Sequence, residues 1–520
     1  MDEELLEDLD PNAYPPQRVT INAEVSGTNT RTFNLAMMNR KVDHKNRTVA
    51  IDLATDEYLL QSYADVVDVD TRSYEANLRN LVNFVLNKAI PGAALQSGTT
   101  NANLTAYWDA RNIITDPGTA ATGQPAVTGY LVNQASLDIN DTTWSISGDG
   151  DSYNIYNPTG TDSYLQVGAG TGSIYPGLQG GKTYVLSATA NVKTLCSGSE
   201  HARSRRVYVA WWLPSGTYQS VQSVQVPNVL NTPTRLSVEF TLPKELTGIE
   251  LRFYLGHTVG QIRWDGITLV ERGPGTAAED AVYFDGDTAD TANYVYDWEG
   301  LQDLSASKRT AVLERLPELF NWKAGVSAWD FLQPLLGAAK LRLFCDEQRR
   351  WFLIDPADYN VPGRVTARTN NTTDGTDDMG GLSGLYATGV VVRFSWVDED
   401  GNNQVKVDTA GVAGRVHLRE ENRPYPGPGM AQAILNKMKG QGRTQTVSVA
   451  TEYTATPGME IGISLPGTAD QIGRLTSVNF QLNTGLMELE SAGLRTTPAG
   501  AIDLLVPIID SLPGTIDSLS

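Results

Sequence analysis

The sequence has little cysteine and little histidine: 2 Cys and 4 His in 520 residues. Cys196 and Cys345 are too few for a disulfide framework and form no CxxC metal pair. Both sit in apolar, strand-like text and are expected as buried free thiols. His44, His201, His257 and His417 are scattered, and no HExxH, GxSxG or Walker loop occurs. The sequence signatures of zinc proteases, α/β-hydrolases and P-loop NTPases are therefore missing. Long apolar runs are missing too. "LLVPII" (Leu504–Ile509) falls far short of the ~20 residues that span a bilayer, so no membrane segment is expected. Positive charge is scarce: 40 Lys and Arg face 60 Asp and Glu, a net charge of -20. Gripping a nucleic-acid backbone needs clustered cations, which this composition argues against. The opening "MDEELLEDLD" has no basic n-region and does not read as a signal peptide.

What is present is length and strand. A chain of 520 residues exceeds one hydrophobic core, and about two to four domains are expected. "RVTINAEV", "RTFNLAMMN" and "RTVAIDLA" alternate in the strand manner. Thr55 reads as a helix N-cap, with Asp56 and Glu57 in the first turn. Leu78, Leu81, Val82, Val85, Leu86 and Ala89 make one helical face, stopped by Pro91-Gly92. From Gln96 to about Gly275 helical periodicity nearly vanishes and short alternating strands recur, as an antiparallel sandwich reads. After Leu301 mixed text returns. Ser327 with Asp330 caps "AWDFLQPLLGAAK", within which Pro334 should kink or shorten the helix. "LRLFCDEQRRWFLIDP" reads as a hairpin turning at Asp346–Arg350. The last section carries a helix near "PGMAQAILNKMKG" and about four closing strands.

Neither the strands and helix before Gln96 nor the helix and hairpin after Leu301 can obviously bury their apolar faces alone. The economical reading is one domain inserted into another at a surface loop. The expected boundaries are 1–95 for the first α+β part, 96–280 for the insertion and 281–365 for the continuation with helix and hairpin. A linker or loop is expected over 366–385, a barrel-like β domain over 386–495 and a tail over 496–520. The fold class is mainly β with α+β parts, with barrel domains and an inserted antiparallel β-sandwich.

"RTVAIDLATDEYLLQSYA", the "YEANLRNLVNFVLNKAIPG" helix, "SAWDFLQPLLGAAKLRLFCDEQRRWFLIDP" and "PGMEIGISLPGTADQIGRLTSVNFQLNTGLMELE" together resemble tail hub proteins of non-contractile phages. The likeness covers roughly Tyr14–Ile90 and Tyr283–Leu494. It implies a structural protein of the virion tail tip, assembled in the host cytoplasm as a homotrimeric ring. Its neighbours would be distal tail, tape-measure and other tail-tip proteins, and DNA would pass through without specific binding. "NIITDPGTA", "YPGLQGGKTYVLSATANV" and "IRWDGITLVERG" in the inserted block resemble carbohydrate-binding jelly rolls of the CBM4/9 type. That resemblance implies a host-surface glycan as ligand and places a structural calcium at Asp265, with Asp116 as partner. No other cofactor is expected.

Strand phase supplies the candidate binding residues. In "RRVYVAWW", Val207, Val209 and Trp211 read as core, which puts Tyr208 and Trp212 on the other face. In "LRFYLG" the same phase leaves Arg252 and Tyr254 opposite the core. These four are expected to line an open sheet face suited to sugar rings. The stretch "YFDGDTADTANYVYDWEG" (Tyr283–Gly300) holds five carboxylates among aromatics. It reads as a structural turn, with a metal loop and a catalytic carboxylate pair as alternatives. No catalytic residue is assigned. The alternative function is a polysaccharide-degrading enzyme with a binding module.

Overall fold

The computed structural model describes residues 10–11, 13, 17–25, 29–46, 48–115, 130–133, 136–138, 144–146, 152–167, 175–198, 200–356, 361–378, 387–397, 401, 403–439, 444–467, 469–481 and 484–496. The acidic N-terminal stretch 1–9, Asp116 and the tail from 497 lie outside the described residues. The chain is mainly β with α+β parts. It divides into two compact units, one continuous (Ala106–Glu318) and one made of Met1–Thr105 together with Leu319–Ser520.

The core of the discontinuous unit draws on both of its pieces. The helix Leu78–Ala89 buries Leu78, Leu81, Val82, Val85, Leu86 and Ala89, the face that the periodicity predicts. Each of the leucine and valine side chains is worth roughly 1.5–3 kcal/mol once buried. They join one apolar cluster with Phe320, Trp322, Phe331, Leu335 and Trp351 from the second piece. Trp322 stacks on Phe331 with ring centroids 5.4 Å apart. A two-stranded ladder pairs Val69–Asp70 with Asn321–Trp322, and the Thr71 hydroxyl donates to the Phe320 carbonyl at 2.7 Å. The helix Glu57–Ser62 starts one residue later than expected, with Asp56 as its N-cap and no side-chain cap bond. The Asp56 carboxylate is spent elsewhere: it is buried and paired with Arg18 and, at 3.1 Å, with Arg349.

Pro334 sits inside the helix Ala328–Ala338. It has no N–H for the Asp330 carbonyl, and Arg423 Nη1 donates to that oxygen at 2.9 Å instead. The helix therefore runs for 11 residues through its proline. Ser327 caps it, accepting from the Asp330 N–H at 3.0 Å. The hairpin forms from Arg342–Cys345 and Trp351–Ile354.

The polar text around 366–378 is not a linker: Arg364–Arg368 and Thr372–Asp378 are strands. Only small Val365 and Ala367 mark the first as buried, so its alternation is faint in sequence. These two strands are the opposite edges of one six-stranded sheet, yet only residues 369–371 separate them. A sheet whose edges are joined by so short a turn must curl on itself. Its inner face holds Val365, Val447, Ile461, Leu475 and Leu489 in a single core. A Cβ added at Gly375, on one edge strand, would stand 3.3 Å from Leu465, which lies next to the other edge. A separate three-stranded sheet, Gly389–Val397 flanked by Asn403–Gly411 and Val416–Glu421, packs on the helix Met430–Lys439. The Asp408 carboxylate accepts from the Gly429 and Ala431 N–H groups at that helix start, at 3.1 and 2.7 Å.

The continuous unit is an antiparallel β-sandwich. Among the described residues one sheet has eight strands, with Thr183–Ser197 beside Val259–Glu271, and the other has five. Trp264, Phe253, Leu251, Leu186 and Ile262 are buried in the core that they share. Residues 281–318, read from the sequence as the start of the following domain, belong here: Tyr294–Trp298 and Ser307–Ala311 extend the larger sheet. The first strand, Ala110–Asn112, pairs antiparallel with Ser307–Ala311, and Tyr107 bridges Arg315.

Asn112 is fully buried at this junction. Its Nδ2 donates to the Ile267 and Phe284 carbonyls, both at 3.3 Å, and its Oδ1 accepts from the Leu269 and Ile114 N–H groups at 2.9 and 3.2 Å. Asn112→Ala strands these groups away from water. It is expected to destabilise the sandwich by about 2–4 kcal/mol, read as a lower urea midpoint with unchanged slope.

Candidate ligand-binding face of the sandwich

The five-stranded sheet runs in the order Tyr218–Gln222, Val207–Trp212, Gly248–Tyr254, Tyr164–Val167, Tyr130–Asn133. Side chains alternate across it. Val207, Val209, Trp211, Leu251 and Phe253 enter the core. Tyr208 is in register with Arg252, so Tyr208, Trp212, Arg252 and Tyr254 share the opposite face.

Two of the four are not open. Tyr208 is 3% exposed and Tyr254 0%. With Ala210 and the partly buried Tyr164 they form a second, small apolar cluster. The Tyr254 ring lies 5.0 Å from Tyr164 and 5.6 Å, edge on, from Tyr208. The Tyr208 hydroxyl bonds that of Tyr218. Tyrosines this close satisfy each other's edges and hydroxyls before any ligand does. Burial pushes the Tyr164, Tyr218 and Tyr254 phenols up, which keeps them protonated donors. Trp212 is half-buried and packs edge on, at 5.2 Å, against Tyr218, which is 40% exposed.

Arg252 is also committed. Its guanidinium donates to Gln166 Oε1 at 3.0 Å and to the Tyr254 hydroxyl at 3.1 Å. It pairs with buried Glu250 at 2.5 Å and lies 4.2 Å from the Tyr164 ring centroid. It holds the tyrosines rather than presenting a free charge. Arg203 and Tyr218, which strand phase did not select, stand over and beside Tyr208. Arg203 lies in the loop before the strand, where a period-two argument has no purchase.

Asp265 is fully buried and accepts from the Ile146 and Gly266 N–H groups, both at 2.6 Å, and from the Ser145 hydroxyl at 3.0 Å. Those are donors facing a carboxylate, the opposite of a cation's needs. Arg235 is the nearby positive charge, and burial lowers it to about 10. Among the described residues no group of three or more His, Cys, Asp or Glu side chains could hold a metal.

The acidic stretch after Tyr283 folds as turns. Asp285 is buried and accepts from the Asp287 N–H at 3.0 Å, the Thr288 hydroxyl at 2.8 Å and the Tyr283 hydroxyl. Asp290 accepts from the Tyr296 N–H at 3.0 Å, and Asp287 from Gln302 at 2.7 Å. Phe284, fully buried, and Tyr294 take the Arg309 guanidinium over their rings at 5.2 and 4.7 Å. These carboxylates are acceptors for their own backbone and neighbours.

No family model and no curated protein matches the chain. Among solved structures, the virion of a native gene transfer agent particle is 13% identical. That match covers 81% of this chain and 94% of that one, at a TM-score of 0.24. The enzymatically active domain of bacteriophage CBA120 tailspike protein 4 is 14% identical, with 31% of this chain covered and a TM-score of 0.24; this chain spans only 21% of its length. The first xylan-binding domain of Paenibacillus barcinonensis Xyn10C, a CBM22, is 9% identical over 31% of this chain and 96% of that one, at 0.23. At such identities and TM-scores the likenesses carry no argument about activity.

Burial, then the Asp287 and Asp285 carboxylates, push Asp303 up. A carboxyl raised on folding binds its proton more tightly in the native state, so it disfavours folding progressively as pH rises from its unfolded to its folded value, and fully above that. Asp303→Asn keeps a side chain suited to the positive φ of 58° and removes that charge. It is expected to raise the melting temperature at neutral pH, with the gain fading as pH falls through the raised folded value and gone below the ordinary value of 3.8, checked by thermal scans across pH.

Proposed function

We propose that the chain is a structural component of a phage tail tip, a homotrimeric hub ring at the end of the tail tube, and that its sandwich contacts host-surface glycans. The observation that carries this reading is the interruption of a barrel-bearing α+β unit by a separately packed β-sandwich. The phage-hub phrases of the sequence fall in the interrupted unit, and the carbohydrate-module phrases fall in the interruption. The exposed Tyr218 and half-buried Trp212 on the outer face of the five-stranded sheet support a sugar ligand, since ring faces meet sugar CH groups and the polar rim meets hydroxyls. The engagement of Asp285, Asp287 and Asp290 in turns favours a non-enzymatic role over a polysaccharide hydrolase. In the ring, the net charge of -20 per chain would let DNA pass without release of counterions.

The test is assembly and position. Native mass spectrometry of the intact protein is expected to give a trimer. Immunogold labelling of particles is expected to mark the tail tip, against neighbouring distal tail and tape-measure proteins. Asp285→Asn with Asp287→Asn is expected to leave any glycan turnover by particles unchanged. A monomer in particles, label away from the tip, or loss of turnover with normal assembly each contradicts the proposal.

A further inference from the structure

The chain is acidic overall, yet "EHARSRR" (Glu200–Arg206) places three arginines within four residues at one end of the tyrosine face. Their surroundings differ. Arg205 is neutralised by Glu200 at 2.6 Å and donates to the Val226 carbonyl at 3.1 Å. Arg206 Nη1 donates to the Ser223 carbonyl at 2.5 Å. Arg203 lies with its guanidinium 4.9 Å from the Tyr208 ring centroid, and among the described residues no carboxylate pairs with it. Burial works against its charge, and the hydrogen-bonded Tyr254 hydroxyl, with those of Tyr208 and Tyr218, supports it.

Two acids lie near the same face. Glu250 is closed by Arg252 at 2.5 Å. Asp162 stands 3.6 Å from His257 Nε2, and the His257 ring packs 4.9 Å from that of His201. What remains is a guanidinium with no carboxylate partner among the described residues, over an aromatic ring and near the exposed Tyr218 and half-buried Trp212. A guanidinium matches a carboxylate or phosphate through two parallel hydrogen bonds. One Arg203 donor goes to the Tyr254 hydroxyl, and the contact with the Tyr208 ring uses none of the others.

We infer that this face takes an anionic saccharide, its acidic group on Arg203 and its ring against Tyr218 and Trp212. The inference rests on reading the sandwich as glycan-binding and adds the charge of the ligand to that reading. The shared chemistry is a sugar or polyol unit bearing one carboxylate or phosphate. Arg252, the cation that strand phase favours, is a positioning residue here, since its donors are spent on Gln166, Tyr254 and Glu250.

The experiment uses the intact protein in affinity electrophoresis with three polymers: polygalacturonate, poly(glycerol phosphate) and neutral xylan. One of the two anionic polymers is expected to retard the protein, and which one identifies the acidic group. Arg203→Gln is expected to weaken that binding by about tenfold or more, the factor expected for losing one charge-assisted pair. Arg203→Lys keeps the charge but not the fork, and is expected to fall between the two. Arg393→Gln, in the other unit, is expected to bind as wild type. A melting curve for each variant establishes that it is folded. Retardation by xylan alone, equal in wild type and Arg203→Gln, overturns the anionic inference and leaves a glycan-binding face standing. Anion binding that survives Arg203→Gln overturns the assignment of Arg203. No retardation by any polymer overturns both this inference and the glycan reading beneath it.

Discussion

The apolar face of the helix Leu78–Ala89 has its packing partners on the far side of a whole folded unit. Phe320, Trp322, Phe331 and Trp351 complete that core, and all follow the sandwich in sequence. Removing six apolar side chains from water is a large term for any domain, and it is available only when the two pieces meet. The ladder of Val69–Asp70 with Asn321–Trp322 and the bond from Thr71 to the Phe320 carbonyl fix the register of that meeting. Charge follows the same logic. Asp56 is buried between Arg18 from the N-terminal strands and Arg349 from the hairpin turn. Arg31 of the long N-terminal strand pairs with Glu347 at 3.0 Å and donates to the Tyr453 and Ala455 carbonyls.

On the sandwich the constraint is one of competition for partners. A face crowded with tyrosines, an arginine and a glutamate looks reactive in sequence. Folded, most of its donors and acceptors meet each other: Arg252 with Glu250, Gln166 and Tyr254, and Tyr208 with Tyr218. The buried polar network on the other sheet behaves likewise. Arg235 donates to Ser187, Thr268 and the Ala281 carbonyl, fastening the segment after Asp280 onto the sheet. Side chains left over after such pairing are the ones available to a ligand.

Periodic features were legible in the sequence. The helix Leu78–Ala89, the hairpin turning at Asp346–Arg350 and the core phase of Val207, Val209 and Trp211 follow from spacing alone. Features that depend on distant partners were not. Asn112 reads as a polar residue in a short strand, yet it is the buried clamp between Leu269 and Phe284. The strands Arg364–Arg368 and Thr372–Asp378 read as a linker because their apolar residues are few and small. Tyr294–Trp298 and Ser307–Ala311 read as following text because turn-rich aspartates precede them. Tyr208 and Tyr254 were placed on the correct face but expected open, since alternation gives the direction of a side chain and not what lies over it.

The two ends of the sandwich run side by side: Ala110–Asn112 is hydrogen-bonded to Ser307–Ala311, and Tyr107 to Arg315. To the interrupted unit, a folded sandwich is therefore a short staple rather than a long tether. A disordered segment would add about 0.6 kcal/mol of closure cost for each doubling of its length; a segment with paired ends adds almost none, whatever its size. Folding order then matters. A sandwich that folds as it leaves the ribosome brings Arg315 back beside Tyr107 before the second half of the outer core exists. The same geometry makes the insertion a cassette. A domain whose termini emerge as an antiparallel pair suits the same point in the chain and leaves the outer core unchanged.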